Sequence, residues 1–221
     1  MPARTSRRFP TIERERQEER LGRAGGVYDL WVGAYEIDRG PNLWLSTPAR
    51  AQRGKVDKKM NVSVLPKRSG SRPRTTPTNP HTQLEQNPER DEVVEELARR
   101  VFALPGVEER PSAISVPGAR ALWLREEVPA GPPEAFMIGR EFAHIHPMPD
   151  GSLHAALPPE VAQAAVEKGW AEQHPVARMG YIPQNVVMIY APRNVEENEV
   201  VAGLVAEACR YAGGGTVPNF R

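Results

Sequence analysis

Three of the chain's five histidines fall within eleven residues of the stretch EFAHIHPMPDGSLHAALPP, residues 141–159. Imidazole accepts and returns protons near neutrality, and it is also a common metal ligand. Grouped imidazoles therefore suit either acid–base work on an organic molecule or a metal held by nitrogen. The alternative without chemistry is a set of unconnected histidines on the wet face of a sheet. The choice depends on whether the backbone gathers the rings.

EFAHIHP and SLHAALP read as short strands joined by PMPDG, in which Asp150-Gly151 suits a turn. Side chains alternate faces along a strand, so Phe142, His144 and His146 share one face while Glu141, Ala143 and Ile145 share the other. Keeping the apolar rows together fixes the register. With His146 facing Ser152, His144 lies directly opposite His154, at a Cβ separation of about 4.5–5.5 Å. The three rings then gather beside Phe142, and the Ala/Ile/Leu face packs on helices. His174, in GWAEQHPVAR, follows a helix and is a fourth candidate. The catalytic candidates are thus His144, His146, His154 and His174. A three-His zinc site is a second reading of the same hairpin. It lacks a carboxylate on the histidine face, because Glu141 is expected to point away. The expected metal is therefore none, with zinc as the alternative.

The elements that hold this hairpin begin at Glu89. ERDEVVEELARRVFALPGV sets Val93, Val94, Leu97, Val101 and Phe102 on one helical face, stopped by Pro105-Gly106. SAISV, ARALWL and AFMIG read as short strands. PEVAQAAVEKGW is a helix with prolines at its start and Gly169 at its end. VVMIYAP is an apolar, β-branched central strand. NVEENEVVAGLVAEACRYAGG is a last helix with an Asn cap and an acidic first turn. This order predicts an α+β domain: a mainly antiparallel sheet with helices packed on one face, preceded by a long disordered N-terminal arm.

Domain boundaries follow from composition. Residues 1–59 read as a poorly ordered extension, with a charged helix in TIERERQEERLGR and short strands in VYDLWVGAYEI and NLWLSTP. Met60 is a second plausible start, and translation from it would make residues 1–59 a gene-model extension. Residues 60–88 form an extended Pro/Thr-rich arm, with His81 expected in solvent. Residues 89–213 make the folded domain, and 214–221 a flexible tail.

Net charge is +1, from 29 Lys and Arg against 28 Asp and Glu, which predicts no specific nucleic-acid partner. The locally basic arm reads as a solvated tail. No run reaches the roughly 18 apolar residues of a membrane span, and no secretory h-region follows the first arginines. The expected setting is cytoplasmic. Cys209, the only cysteine, excludes an internal disulfide and reads as a core residue on an apolar helical stripe.

Three blocks, EFAHIHPMPDGSLHAALPP, EKGWAEQHPVAR and VVMIYAPRNVEENEVV, resemble in order the luciferase-like domain shared by fungal luciferases and many bacterial proteins. The resemblance spans roughly Arg72 to Gly213, with its core motifs between Gly139 and Arg193. Fungal luciferases oxidise a hydroxylated styryl-pyrone with molecular oxygen, and no organic cofactor is assigned to them. The resemblance implies a His-lined pocket for a small planar enol, O2 as co-substrate, and a histidine base, His144 or His154. Phe142, Trp170 and Tyr190 are candidate aromatic walls. Arg140 and Arg193 are candidates to balance the enolate charge. An ordinary imidazole base would lose activity below about pH 6. The competing expectation is a non-catalytic binding module of the same fold.

Overall fold

A computed structural model describes residues 64–215. The readings for the extension, for the Met60 start and for the tail beyond residue 215 lie outside these residues.

Apolar spacing builds the helices as expected. In α1 (Asp91–Phe102), Val93, Val94, Leu97, Ala98 and Val101 are the buried stripe. α2 spans Pro159–Glu167, with proline in its first turn. α4 spans Val195–Ala212 and is capped by Asn194, whose side chain accepts the Glu197 N–H at 3.0 Å. A four-residue helix, α3 (Pro175–Arg178), is capped by His174 and lay outside the sequence expectation.

Six strands form one sheet: β1 (Val107–Pro111), β2 (Arg120–Leu124), β3 (Glu141–Ile145), β4 (Leu153–Ala156), β5 (Ala171–Gln173) and β6 (Val186–Ile189). Their order is β1-β2-β3-β4-β6-β5, and neighbouring strands pair antiparallel. The helix-side face carries Ala143, Ile145, Leu153, Ala155, Val187 and Ile189. These pack against Leu97 and Val101 of α1, Val161 and Ala165 of α2, and Val201, Leu204 and Ala208 of α4. The fold is α+β with its long helices on one face. Cys209 is partly buried against this core, and burial pushes its thiol up to about 12. That position suits packing and not nucleophilic attack. Among the described residues no helix is long and apolar enough to cross a membrane.

Two expected strands are corrected. SAISV is irregular, because its polar groups turn inward: Ser112 Oγ and the Ala113 N–H both donate to the Glu141 carboxylate, at 2.7 and 3.0 Å. The preceding VEERP is the edge strand instead. AFMIG follows a short 3₁₀ turn, Pro133–Ala135, which ends on its first residue, and makes a single bridge between Ile138 and Glu141. Gly139, with φ 53°, turns the chain there before a ladder can form. The three-residue strand β5 is too short to leave a readable period.

Residues 64–88 form an irregular strap that begins at Leu65 in the helix-side core and brings His81 against the rings on the opposite sheet face. The strap is pinned at Arg68, which is buried, ion-paired to Glu197 at 3.2 Å and donates to Ala191 O at 3.2 Å. Burial pushes the Arg68 guanidinium down, against the opposing pull of Glu197. Trp170 Nε1 donates to Pro66 O at 2.6 Å. Farther along, Gln83 accepts the Ala191 N–H at 2.9 Å and gives its own N–H to Asp150 at 3.2 Å. The strap thereby joins the end of β6 to the β3–β4 loop. In that loop Gly151 has φ 65°, and an added Cβ would meet Pro88 and Val94 at 3.0 Å.

Removing Arg68 deletes its bonds to Glu197 and Ala191 O, while Glu197 keeps Arg193 as a second partner. Arg68→Met should therefore lower unfolding free energy by about 2 kcal/mol in urea titration, the worth of hydrogen bonds to a charged group. It should also open residues 64–88 to limited proteolysis. An unchanged midpoint and cleavage pattern would mean that the strap is not fastened by this pair.

Candidate functional site

The register anticipated for the hairpin is observed. His144 pairs with His154, Ala143 with Ala155, and the His146 N–H donates to Ser152 O at 2.8 Å. On the β2 side, however, Leu122 pairs with Ala143 while Trp123 pairs with Glu141, so Phe142 is an extra residue. A bulge of this kind bends the strand and breaks the alternation of side chains. Phe142 consequently packs into the helix-side core. Glu141 turns to the histidine face, where its Oε1 lies 2.8 Å from His144 Nδ1. The expectation that Glu141 points away and Phe142 flanks the rings is corrected by this one inserted residue.

His81 is a second correction. It is not in solvent but 2 % exposed, because the strap folds back over the sheet. All five histidines of the chain therefore meet in one cluster, and His154 is its centre. Its ring centroid lies 5.0 Å from that of His144, 4.6 Å from His146, 4.4 Å from His174 and 5.4 Å from His81. His174 enters the cluster by capping α3, where its Nδ1 accepts the Val176 N–H at 3.1 Å.

Hydrogen bonds fix the proton positions, since a carboxylate only accepts. His144 gives its Nδ1–H to Glu141, leaving Nε2 as a lone pair. That lone pair lies 3.0 Å from His154 Nδ1, which must then carry the proton. His146 gives Nδ1–H to Asp150 Oδ2 at 2.6 Å. His81 gives Nε2–H to Glu172 Oε1 at 2.7 Å, and Glu172 also accepts from Thr75 and Tyr190, at 2.6 and 3.0 Å. Two buried nitrogens, His81 Nδ1 and His154 Nε2, have no hydrogen-bond partner among the described residues. Two ring sets can each bring three nitrogens within 4.8 Å of one another: His144, His146, His154 and His81, His154, His174.

Burial disfavours the charged rings. It pushes His144 below the usual imidazole range, although its hydrogen bond to Glu141 opposes the shift. His154 falls well below that range, through burial first and then the four neighbouring rings, and His174 falls to about 3. A base at His144, His154 or His174 titrates below an ordinary imidazole, so the threshold drawn from that imidazole moves downward.

The remaining candidates are held elsewhere. Trp170 is buried in the helix-side core. Tyr190 is fully buried and serves Glu172. Arg193 binds Glu197 through Nε at 2.9 Å. Arg140 donates to the carbonyls of Leu124, Arg125 and Val128 at 2.8, 2.7 and 2.6 Å. Trp170, Arg140 and Arg193 thus have partners away from the imidazoles, whereas Tyr190 shares the Glu172 carboxylate with His81. A surface hollow of about 710 Å³ lies next to the cluster, and no histidine lines it. Ser112 links the two, since it lines the hollow and its Oγ lies 3.5 Å from His144 Nδ1.

Comparison with known proteins matches residues 139–208 to the Luciferase domain family. Luciferases of Armillaria gallica and Armillaria ostoyae are each 32 % identical over 171 residues, covering 70 % of this chain and 64 % of theirs. The luciferase of Neonothopanus nambi is 29 % identical over 171 residues, covering 70 % of this chain and 63 % of its own. The chain thus spans just under two thirds of the length of these relatives. No solved structure matches it.

The depressed imidazoles make the fold acid-sensitive. Unfolded histidines take up protons below about pH 6.5, whereas buried His144, His154 and His174 do not. Their contribution to stability is full above that value and is lost as pH falls toward their folded values. His174, held at about 3, should alone cost about 1 kcal/mol one pH unit below 6.5. Urea unfolding with chelator present should report a loss of at least about 1 kcal/mol between pH 7 and 5.5. Equal midpoints at the two pH values would contradict the burial of neutral rings.

Proposed function

We infer, for a chain that belongs to the Luciferase domain family through residues 139–208, that its histidine cluster is the reaction centre of an oxidising enzyme. The substrate is a small planar enol of hydroxypyrone type, with O2 as co-substrate and no organic cofactor. The observation that carries this reading is the buried series Glu141–His144–His154, with contacts of 2.8 and 3.0 Å. A carboxylate orients one imidazole, which in turn orients the next, so the second ring is held in a single tautomer. The second ring keeps an Nε2 lone pair with no partner among the described residues. That lone pair can accept an enol proton, leaving an electron-rich enolate to reduce O2. The hollow beside Ser112 is of a size that suits a small ligand. The expected setting is cytoplasmic.

One observation favours a second reading, a binding module without catalysis: the hollow has no histidine in its lining. The two readings part in the same experiment. Oxygen uptake with a panel of hydroxypyrones should be catalysed by the intact chain. His144→Ala and His154→Ala should each reduce kcat about 100-fold or more, the usual worth of a positioned base. Pyrone binding without oxygen uptake would support the module instead. Turnover that survives both substitutions would remove the histidines from the mechanism.

A further inference from the structure

We propose that His144, His146 and His154 bind a divalent first-row transition-metal ion through three neutral imidazole nitrogens, with Glu141 and Asp150 as the orienting carboxylates. The site stands on ring geometry and does not rest on the oxidative reading above.

Two observations carry it. Zinc–nitrogen bonds near 2.0–2.1 Å hold the ligand atoms about 3 to 3.5 Å apart. His144 Nε2 and His154 Nδ1 already lie 3.0 Å apart, and the three rings can offer nitrogens within 4.8 Å of one another.

The second observation is the pair of carboxylates. A ligating histidine usually donates its other N–H to a carboxylate, which fixes the tautomer that leaves a lone pair for the metal. His144 does so to Glu141 and His146 to Asp150, at 2.8 and 2.6 Å. The absence of a carboxylate argued against a metal in the sequence, and the bulge at Phe142 removes that objection.

The alternative trio, His81, His154 and His174, fits less well. His174 Nδ1 accepts the Val176 amide, so its neutral form carries the proton on Nε2, where a ligand needs a lone pair. His81 also lies outside the segment matched to the family, whereas all five groups of the proposed site lie inside it. Three protein ligands leave positions open for water or substrate, as in catalytic zinc sites.

The test is titration of the chelator-treated full chain with Co²⁺ and with Zn²⁺, both on native protein and during refolding. Calorimetry and the visible bands of nitrogen-bound cobalt report binding. One saturable equivalent is expected. His146→Ala should weaken it about 100-fold or more, and Asp150→Asn about 10- to 100-fold. The Asn side chain keeps the oxygen that accepts from Gln83 and Ser152, and turns its NH₂ toward His146 Nδ1. That contact moves the ring proton to Nε2 and closes the ligand position. His81→Gln should change affinity by less than about threefold, since His81 is not a ligand here. Circular dichroism of each variant separates lost binding from lost fold. No saturable uptake by the wild type, or loss with His81→Gln but not with Asp150→Asn, would overturn the assignment. Metal uptake without pyrone oxidation would sink the proposed function and leave this site standing. Pyrone oxidation by a chain that takes up no metal would do the reverse.

Discussion

One inserted residue in β3 determines the chemistry available on the histidine face. Without the bulge at Phe142, strict alternation would bury Glu141 among aliphatic side chains, where an ionised carboxylate is very costly. With it, the carboxylate meets three donors, the His144 ring, the Ser112 hydroxyl and the Ala113 amide, at 2.8, 2.7 and 3.0 Å. The same insertion delivers Phe142 to the core. A packing gain on one side of the sheet and a polar network on the other thus share one backbone irregularity. Bulges next to functional residues are common for this reason.

The strap gives the cluster its second property, dryness. Strands β3 and β4 alone would present His144, His146 and His154 on an open sheet face. Residues 64–88 cross that face and add His81, while Arg68 and Gln83 fasten the crossing at β6. Desolvation then outweighs the nearby carboxylate at His144 and holds the ring neutral. Neutral imidazoles with fixed tautomers are useful either as proton acceptors or as ligands. Their use depends on which nitrogen is left without a proton.

Much of the arrangement was legible in the sequence. Apolar rows fixed the β3–β4 register, so the opposition of His144 and His154 followed from pattern alone. The helices were readable from spacing, the Asn194 cap and terminal glycines. Period, however, carries no information about an inserted residue, which is why the orientations of Glu141 and Phe142 were reversed. The position of His81 was hidden for a different reason. A Pro/Thr-rich segment with no apolar period looks solvated, and its attachment here comes from side-chain hydrogen bonds to distant backbone, such as Gln83 to Ala191. SAISV has the composition of a strand, yet its hydroxyl and amide are drawn to a buried charge 28 or 29 residues away.

Because the chain has five histidines in all and every one of them sits in the same cluster, any probe selective for imidazole is blind to the rest of the molecule. Isotope-labelled histidine would give a nitrogen spectrum composed of this one locus, without background from the surface. Each tautomer, each proton and each bound species could then be followed by resonances that have no other source.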